Sequence, residues 1–338
     1  MSITYTRSAL GLAAAGMLCA GFSVVAAQTP AAAGAGERIK LVTATLKGEP
    51  PTGPYKIVVE QDQTLATHTI YRPATLGPSK HPVLVWGEGG CAKDGLQFPE
   101  FLTEIASHGF VVIADGPPVG RTLPGGGAPG TRAGGAAPPP GAAALGPGAR
   151  AGGGAAGRGS LPVMTDGTAL IAAIDWLSKE ANDRASRFYH KVDVAHVAAM
   201  GMSCGGLMAY GASADPRIAT VGIWNSGLLQ PDAKIFAGLH SPVIIVTGGD
   251  KDIAYANGKR DFETMPAKIP VFYGVHPSVG HGGTYNEDNG GPFGAAAVAW
   301  LRWQLMNDTS ATGKGYFVGT ACKLCGDPKW QTNSRGLR

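Results

Sequence analysis

Ser203, His281 and an aspartate at 250 or 252 are the residues best suited to act together chemically. Ser203 lies in Gly201-Met202-Ser203-Cys204-Gly205, a G-x-S-x-G pattern. A serine hydroxyl is a weak nucleophile until a base takes its proton. The pattern serves that purpose when a strand enters it and a helix leaves it, because the tight turn lifts the hydroxyl clear of the backbone. Small neighbours let the turn close, and the N–H of Cys204 at the helix start faces a developing oxyanion. His281, in Gly280-His281-Gly282-Gly283, is the expected base. It follows the last central strand, precedes the last long helix, and has glycines around it that leave its ring room to face the serine. His276 is the second candidate, nearer the strand and expected to pack or hydrogen-bond. The base needs a carboxylate to hold its tautomer. Gly248-Gly249-Asp250-Lys251-Asp252-Ile253-Ala254 offers two. Asp252 is favoured because Ile253-Ala254 can pack the loop against the sheet, which leaves Asp250 as a turn residue. A second oxyanion donor is expected in Gly87-Glu88-Gly89-Gly90-Cys91, with Gly90 first and Cys91 next.

These residues need a frame that brings them to one edge. Short apolar runs with β-branched residues read as strands over 55–60, 68–71, 82–86, 110–114, 197–201, 219–224, 242–246 and 271–274. Helical spacing marks 98–107, 167–179, 205–212, 256–263 and 293–306. Alternation of strand and helix implies an α/β fold with a mostly parallel central sheet and helices on both faces. Ligands in such sheets sit at the carboxyl ends of the strands. Each candidate residue follows a strand there.

Residues 1–27 carry one charged side chain, Arg7, then an apolar run ending in Val25-Ala26-Ala27. This reads as a cleaved signal peptide, so the chain is expected to be secreted or periplasmic, without a stable membrane anchor. Residues 28–338 are expected to form one domain. Within it, 117–160 is nearly all Gly, Ala and Pro with four arginines, and is expected to be a disordered surface loop. Residues 309–338 are expected to be a C-terminal tail. The net charge of +4 is spread along the chain, and no basic stripe implies a nucleic-acid partner.

Several stretches resemble the secreted polyester hydrolases and cutinases of the α/β-hydrolase superfamily, relatives of the dienelactone hydrolases. They are Ala106–Ile113, Lys191-Val192-Asp193 leading into Gly201–Gly206, and Val298-Ala299-Trp300-Leu301. The resemblance implies Ser203 as nucleophile and His281 as base. It implies that Trp224 contacts the substrate, and that Gly90 keeps a backbone role where those enzymes carry an aromatic residue. Cys204 stands where they have methionine.

An exported chain permits disulfides. Cys91 and Cys204 fall in the two halves of the expected oxyanion site, so a bond between them would tie the donor loops together and put Cys91 beside the substrate. Cys322-Lys323-Leu324-Cys325 lies past the last long helix, outside any βαβ unit and without a second ligand pair for zinc, and is expected to staple the tail. The expected reaction is hydrolysis of a small or polymeric carboxylic ester through an acyl-enzyme, needing no metal or cofactor. A serine peptidase or amidase and a non-catalytic binding protein are the alternatives. The residues leave the oligomeric state open.

Overall fold

The computed structural model describes residues 38–120 and 166–337. The expected signal peptide, and the expected loop apart from 117–120, lie outside these residues. The described residues form an α/β structure around a 10-stranded sheet in the order β1-β2-β3-β5-β4-β6-β7-β8-β9-β10. The strands are β1 Ile39–Val42, β2 Ile57–Asp62, β3 His68–Pro73, β4 His81–Gly87, β5 Val111–Asp115, β6 Val192–Met202, β7 Ile218–Trp224, β8 Val243–Thr247, β9 Val271–Val275 and β10 Gln331–Arg335. Strands β5, β4, β6, β7, β8 and β9 run parallel. Antiparallel neighbours extend the sheet at both edges.

The central strands are buried along their whole length, which is why they read as continuous apolar runs. Successive side chains still point to opposite faces. On β4, Val83 and Val85 join the core beneath the helices α2 Thr168–Asn182, α3 Cys204–Ala212, α4 Ala233–Gly238 and α5 Tyr255–Thr264. Leu84 and Trp86 join the opposite core, covered by α1 Pro99–Ser107 and α6 Gly291–Met306. The sheet is therefore covered on both faces.

Two strands and two short helices lie outside the strands and helices expected from sequence. β1 and β10 are edge strands, β1 a four-residue stretch interrupted by Lys40 and β10 polar throughout, so neither shows a continuous apolar run. α4 is one short turn capped by Asp232, whose side chain accepts from the N–H groups of Lys234 and Ile235. The segment expected as a tail is more than that. It contains helix α7 Lys323–Gly326 and β10, and its Phe317, Leu324 and Trp330 enter the α1/α6 core. Cys322 and Cys325 are bonded across α7, with Cα atoms 5.3 Å apart.

Candidate active site

The carboxyl ends of β4, β6, β7, β8 and β9 deliver five loops to one edge of the sheet, around a cleft of ≈ 270 Å³. The strand β6 ends at Met202, and α3 begins at Cys204. Between them, Ser203 takes φ 53° and ψ −113°, a left-handed conformation that L residues adopt only at a cost, of the order of 1–3 kcal/mol. Glycines make this turn possible. A Cβ on Gly201 would strike the backbone of Gly205, and one on Gly205 would strike the carbonyl of Gly87 on β4. The start of α3 thus lies directly on two strands. As first residue of that helix, Cys204 has an N–H with no partner inside it.

His281 stands in a short turn after β9. Its Nε2 lies 3.1 Å from Ser203 Oγ and its Nδ1 lies 2.6 Å from Asp252 Oδ1. Nδ1 carries the proton toward the carboxylate, which leaves Nε2 free to accept from the serine. Asp252 is buried, whereas Asp250 is exposed. Its Oδ2 accepts from Gly248 N at 2.9 Å and Asn225 Nδ2 at 2.8 Å, and its Oδ1 also accepts from Ala254 N at 2.9 Å. Burial works to raise the Asp252 carboxyl. Hydrogen bonds from His281, the two backbone N–H groups and Asn225 outweigh burial and hold it below the ordinary carboxylate range.

Ile253 does not pack the Asp252 loop against the sheet as expected from sequence. Ala254 does turn inward, but Ile253 is 82% exposed and lines the cleft. Backbone N–H groups converging on the carboxylate, not apolar packing of Ile253, put Asp252 in place. His276 is buried edge-on against Trp330 and its Nδ1 lies 3.2 Å from Ser278 Oγ, a packing role away from the serine.

Gly90 and Cys91 line the cleft opposite His281, and both have positive φ, 62° and 49°. Cys91 is bonded to Cys204, with Cα atoms 5.4 Å apart, so the loop after β4 is tied to the residue that follows Ser203.

Trp224 is not a cleft residue. Its indole is fully buried against Phe101 and Phe293, in the core under α1 and α6. The side chain of this β7 residue points to the α1/α6 face, so it packs the core while its backbone reaches the site. The Trp224 carbonyl accepts from Ser203 N at 2.9 Å. The next two residues also serve the site. Asn225 bonds Asp252, and Ser226 Oγ donates to Ser203 O at 2.7 Å. Neither was singled out from sequence. The available signal was Trp224-Asn225-Ser226-Gly227 itself, a polar run at the carboxyl end of a central strand.

Glu88 was also missed. It is fully buried in the loop after β4, where the indole Nε1 of Trp86 donates to its Oε2 at 3.1 Å and its Oε1 has no hydrogen-bond partner. Burial pushes this carboxyl well above its ordinary range, and the nearby Asp94 and Asp115 push the same way.

The cleft rim is apolar on one side. Leu229 is 54% exposed and lines the cleft with Ile253. Its orientation is built in. Asp261 Oδ2 on α5 accepts from Leu228 N at 2.6 Å and Arg260 donates to Leu228 O, which turns Leu228 into the core and Leu229 outward.

Among the described residues, no three His, Cys, Asp or Glu side chains gather in a way that could hold a metal ion. No described helix is long and apolar enough to cross a membrane, and the two disulfides fit a non-cytoplasmic location. No protein-family model matches the chain, and no curated protein matches it.

Proposed function

We propose that this chain is an exported serine hydrolase of the α/β-hydrolase type that cleaves carboxylic esters. The observation that carries the reading is His281 bridging Ser203 Oγ at 3.1 Å and Asp252 Oδ1 at 2.6 Å, with the serine held in a left-handed turn. Nucleophile, base and orienting acid then stand in the order that acyl transfer requires.

His281 Nε2 takes the proton of Ser203 as Oγ attacks the ester carbonyl. The N–H groups of Cys204 and Gly90 hold the oxyanion. As the C–O bond to the alcohol breaks, His281 returns the proton to the leaving oxygen. Water then attacks the acyl-enzyme, gives its proton to Nε2, and the acid leaves as Ser203 regains its hydrogen. Asp252 keeps Nδ1–H in place and stabilises the imidazolium at each stage. Leu229 and Ile253 support an ester with an apolar acyl or alcohol part, as in the polyester hydrolases that the sequence resembles. The buried Trp224 leaves no indole contact to the substrate.

Initial rates on nitrophenyl acetate, butyrate and octanoate test the reading, measured beside Ser203→Ala. Turnover in the parent and none in the variant is the expected result, and the apolar rim predicts that kcat/KM rises from acetate to butyrate. A parent chain as inert as Ser203→Ala would sink the esterase reading.

A further inference from the structure

Asn225 occupies an unusual place among the loops around the cleft. It has φ 43°, a conformation asparagine tolerates better than most residues. Its side-chain Nδ2 donates to Asp252 Oδ2 at 2.8 Å and to Gly280 O at 3.0 Å. Gly280 directly precedes His281. One amide group therefore grips the carboxylate and the backbone that carries the imidazole, joining the loops after β7, β8 and β9.

The orientation of this amide follows from its partners. A carboxylate and a carbonyl only accept, so the NH₂ end must face both. Oδ1 is left toward Tyr285, whose OH donates to it at 2.6 Å. Tyr285 is fully buried among Phe98, Phe101 and Phe293. Burial first, and the charge of Asp252 second, push its phenol well above the ordinary value, so it stays protonated and able to donate. Gly283, at φ 58°, makes the approach possible, since a Cβ there would strike the Tyr285 ring and press on Asn225 Oδ1. Rotation of the amide would set its oxygen against two acceptors and leave the phenol without one.

We infer that Tyr285 and Asn225 form a positioning relay, in which the phenol fixes the asparagine amide and the amide fixes Asp252 and His281 relative to each other. The inference rests on the proposed serine-hydrolase reading. It assigns the pair no contact with substrate. Their effect must therefore fall on kcat and on the His281–Asp252 hydrogen bond, and leave KM alone.

The test uses Tyr285→Phe, Asn225→Ala and the double variant in the full mature chain, each at a temperature well below its own melting midpoint. The readouts are nitrophenyl butyrate kinetics and the far-downfield proton resonance of His281 Nδ1–H, which His281→Ala identifies by its loss. Asn225→Ala is expected to lower kcat on the order of 10- to 100-fold, as befits a hydrogen bond to a charged group, with KM within about twofold. Tyr285→Phe is expected to lower kcat roughly 3- to 10-fold. In the Asn225→Ala background Tyr285→Phe should cost nothing further, because the phenol has already lost its acceptor. The downfield resonance should shift or broaden in both single variants. Unchanged kcat and an unmoved resonance in Tyr285→Phe and Asn225→Ala would overturn the relay. Should the parent chain lack esterase turnover, the resonance still decides. A shift in the variants keeps the relay while the ester reading falls, and no shift removes both.

Discussion

The two halves of the cleft are held by different means. On the nucleophile side, Gly87, Gly201 and Gly205 bring the start of α3 against β4 and β6, and the Cys91–Cys204 bond closes the same junction. That side is set mainly by shape and by a covalent link, with Ser226 Oγ on Ser203 O as a polar addition. On the acid–base side, Asp252 and His281 come from separate loops, and polar groups hold them: Gly248 N, Ala254 N and the Asn225 amide. Steric contacts tolerate no added atom but need no particular charge. Polar contacts tolerate small shifts in shape but need every partner. Mutations on the first side should therefore disturb packing and stability together with rate, whereas those on the second should reach rate first.

The largest effect is expected on the acid–base side. Asp252→Asn should lower kcat about 10⁴-fold, because the imidazole loses the carboxylate that fixes its tautomer, and should lower the melting temperature as well, because the new amide NH₂ faces N–H groups that now donate to the carboxylate. Asp250→Asn should leave kcat unchanged, and the pair of rates distinguishes the two aspartates. Gly205→Ala should lower kcat on the order of 10²- to 10³-fold by moving the Cys204 N–H, and should also cost about 1–3 kcal/mol in denaturant melts. A rate loss without a stability loss would break the contrast between the halves.

The two disulfides sharpen it. Cys91 and Cys204 are 113 residues apart, so Cys91→Ser with Cys204→Ser should cost about 2–5 kcal/mol and lower kcat as well. The Cys322–Cys325 bond joins residues with a sequence separation of only 3, so Cys322→Ser with Cys325→Ser should cost roughly half of that or less, with kcat unchanged. Equal effects of the two pairs would show that the first bond does nothing special for the cleft.

The smallest effect concerns Glu88. Its folded pKa lies above its unfolded value, so the folded chain keeps a proton that the unfolded chain has released. The stability linked to that proton is whole below the ordinary carboxylate range and is lost as pH rises through it toward the raised value. Glu88→Gln keeps an acceptor for the Trp86 indole and removes the ionisation. It should melt like the parent at acid pH and at a higher temperature than the parent at alkaline pH, read from melts across pH.

The same contrast explains what was legible in the sequence. The parallel strands, the five long helices and the turn at Ser203 were readable because apolar runs, helical spacing and close-packed glycines leave marks in adjacent residues. His281 was readable because it follows the last parallel strand. The polar framework was not. Asn225, Ser226 and Tyr285 act through partners 27, 23 and 60 residues away, and nothing local announces such pairs. Trp224 misled for a related reason. The resemblance to polyester hydrolases implied a substrate contact, but the alternation along β7 turned its indole into the core and left only its carbonyl beside the serine. Ile253 misled in the opposite sense, as an apolar residue that faces the cleft. Edge strand β10 was hidden by its polarity, and β1 by its shortness and the Lys40 that interrupts it.

Covalent capture of Ser203 tests most directly whether the bridged serine is a working nucleophile. The purified chain would be treated with a fluorophosphonate and digested, and the adduct located by mass spectrometry, beside His281→Ala and Asp252→Asn. The account predicts stoichiometric phosphonylation at Ser203 in the parent and strongly slowed labelling in both variants. Labelling spread over surface serines and tyrosines, or equally fast at Ser203 without His281, would contradict it.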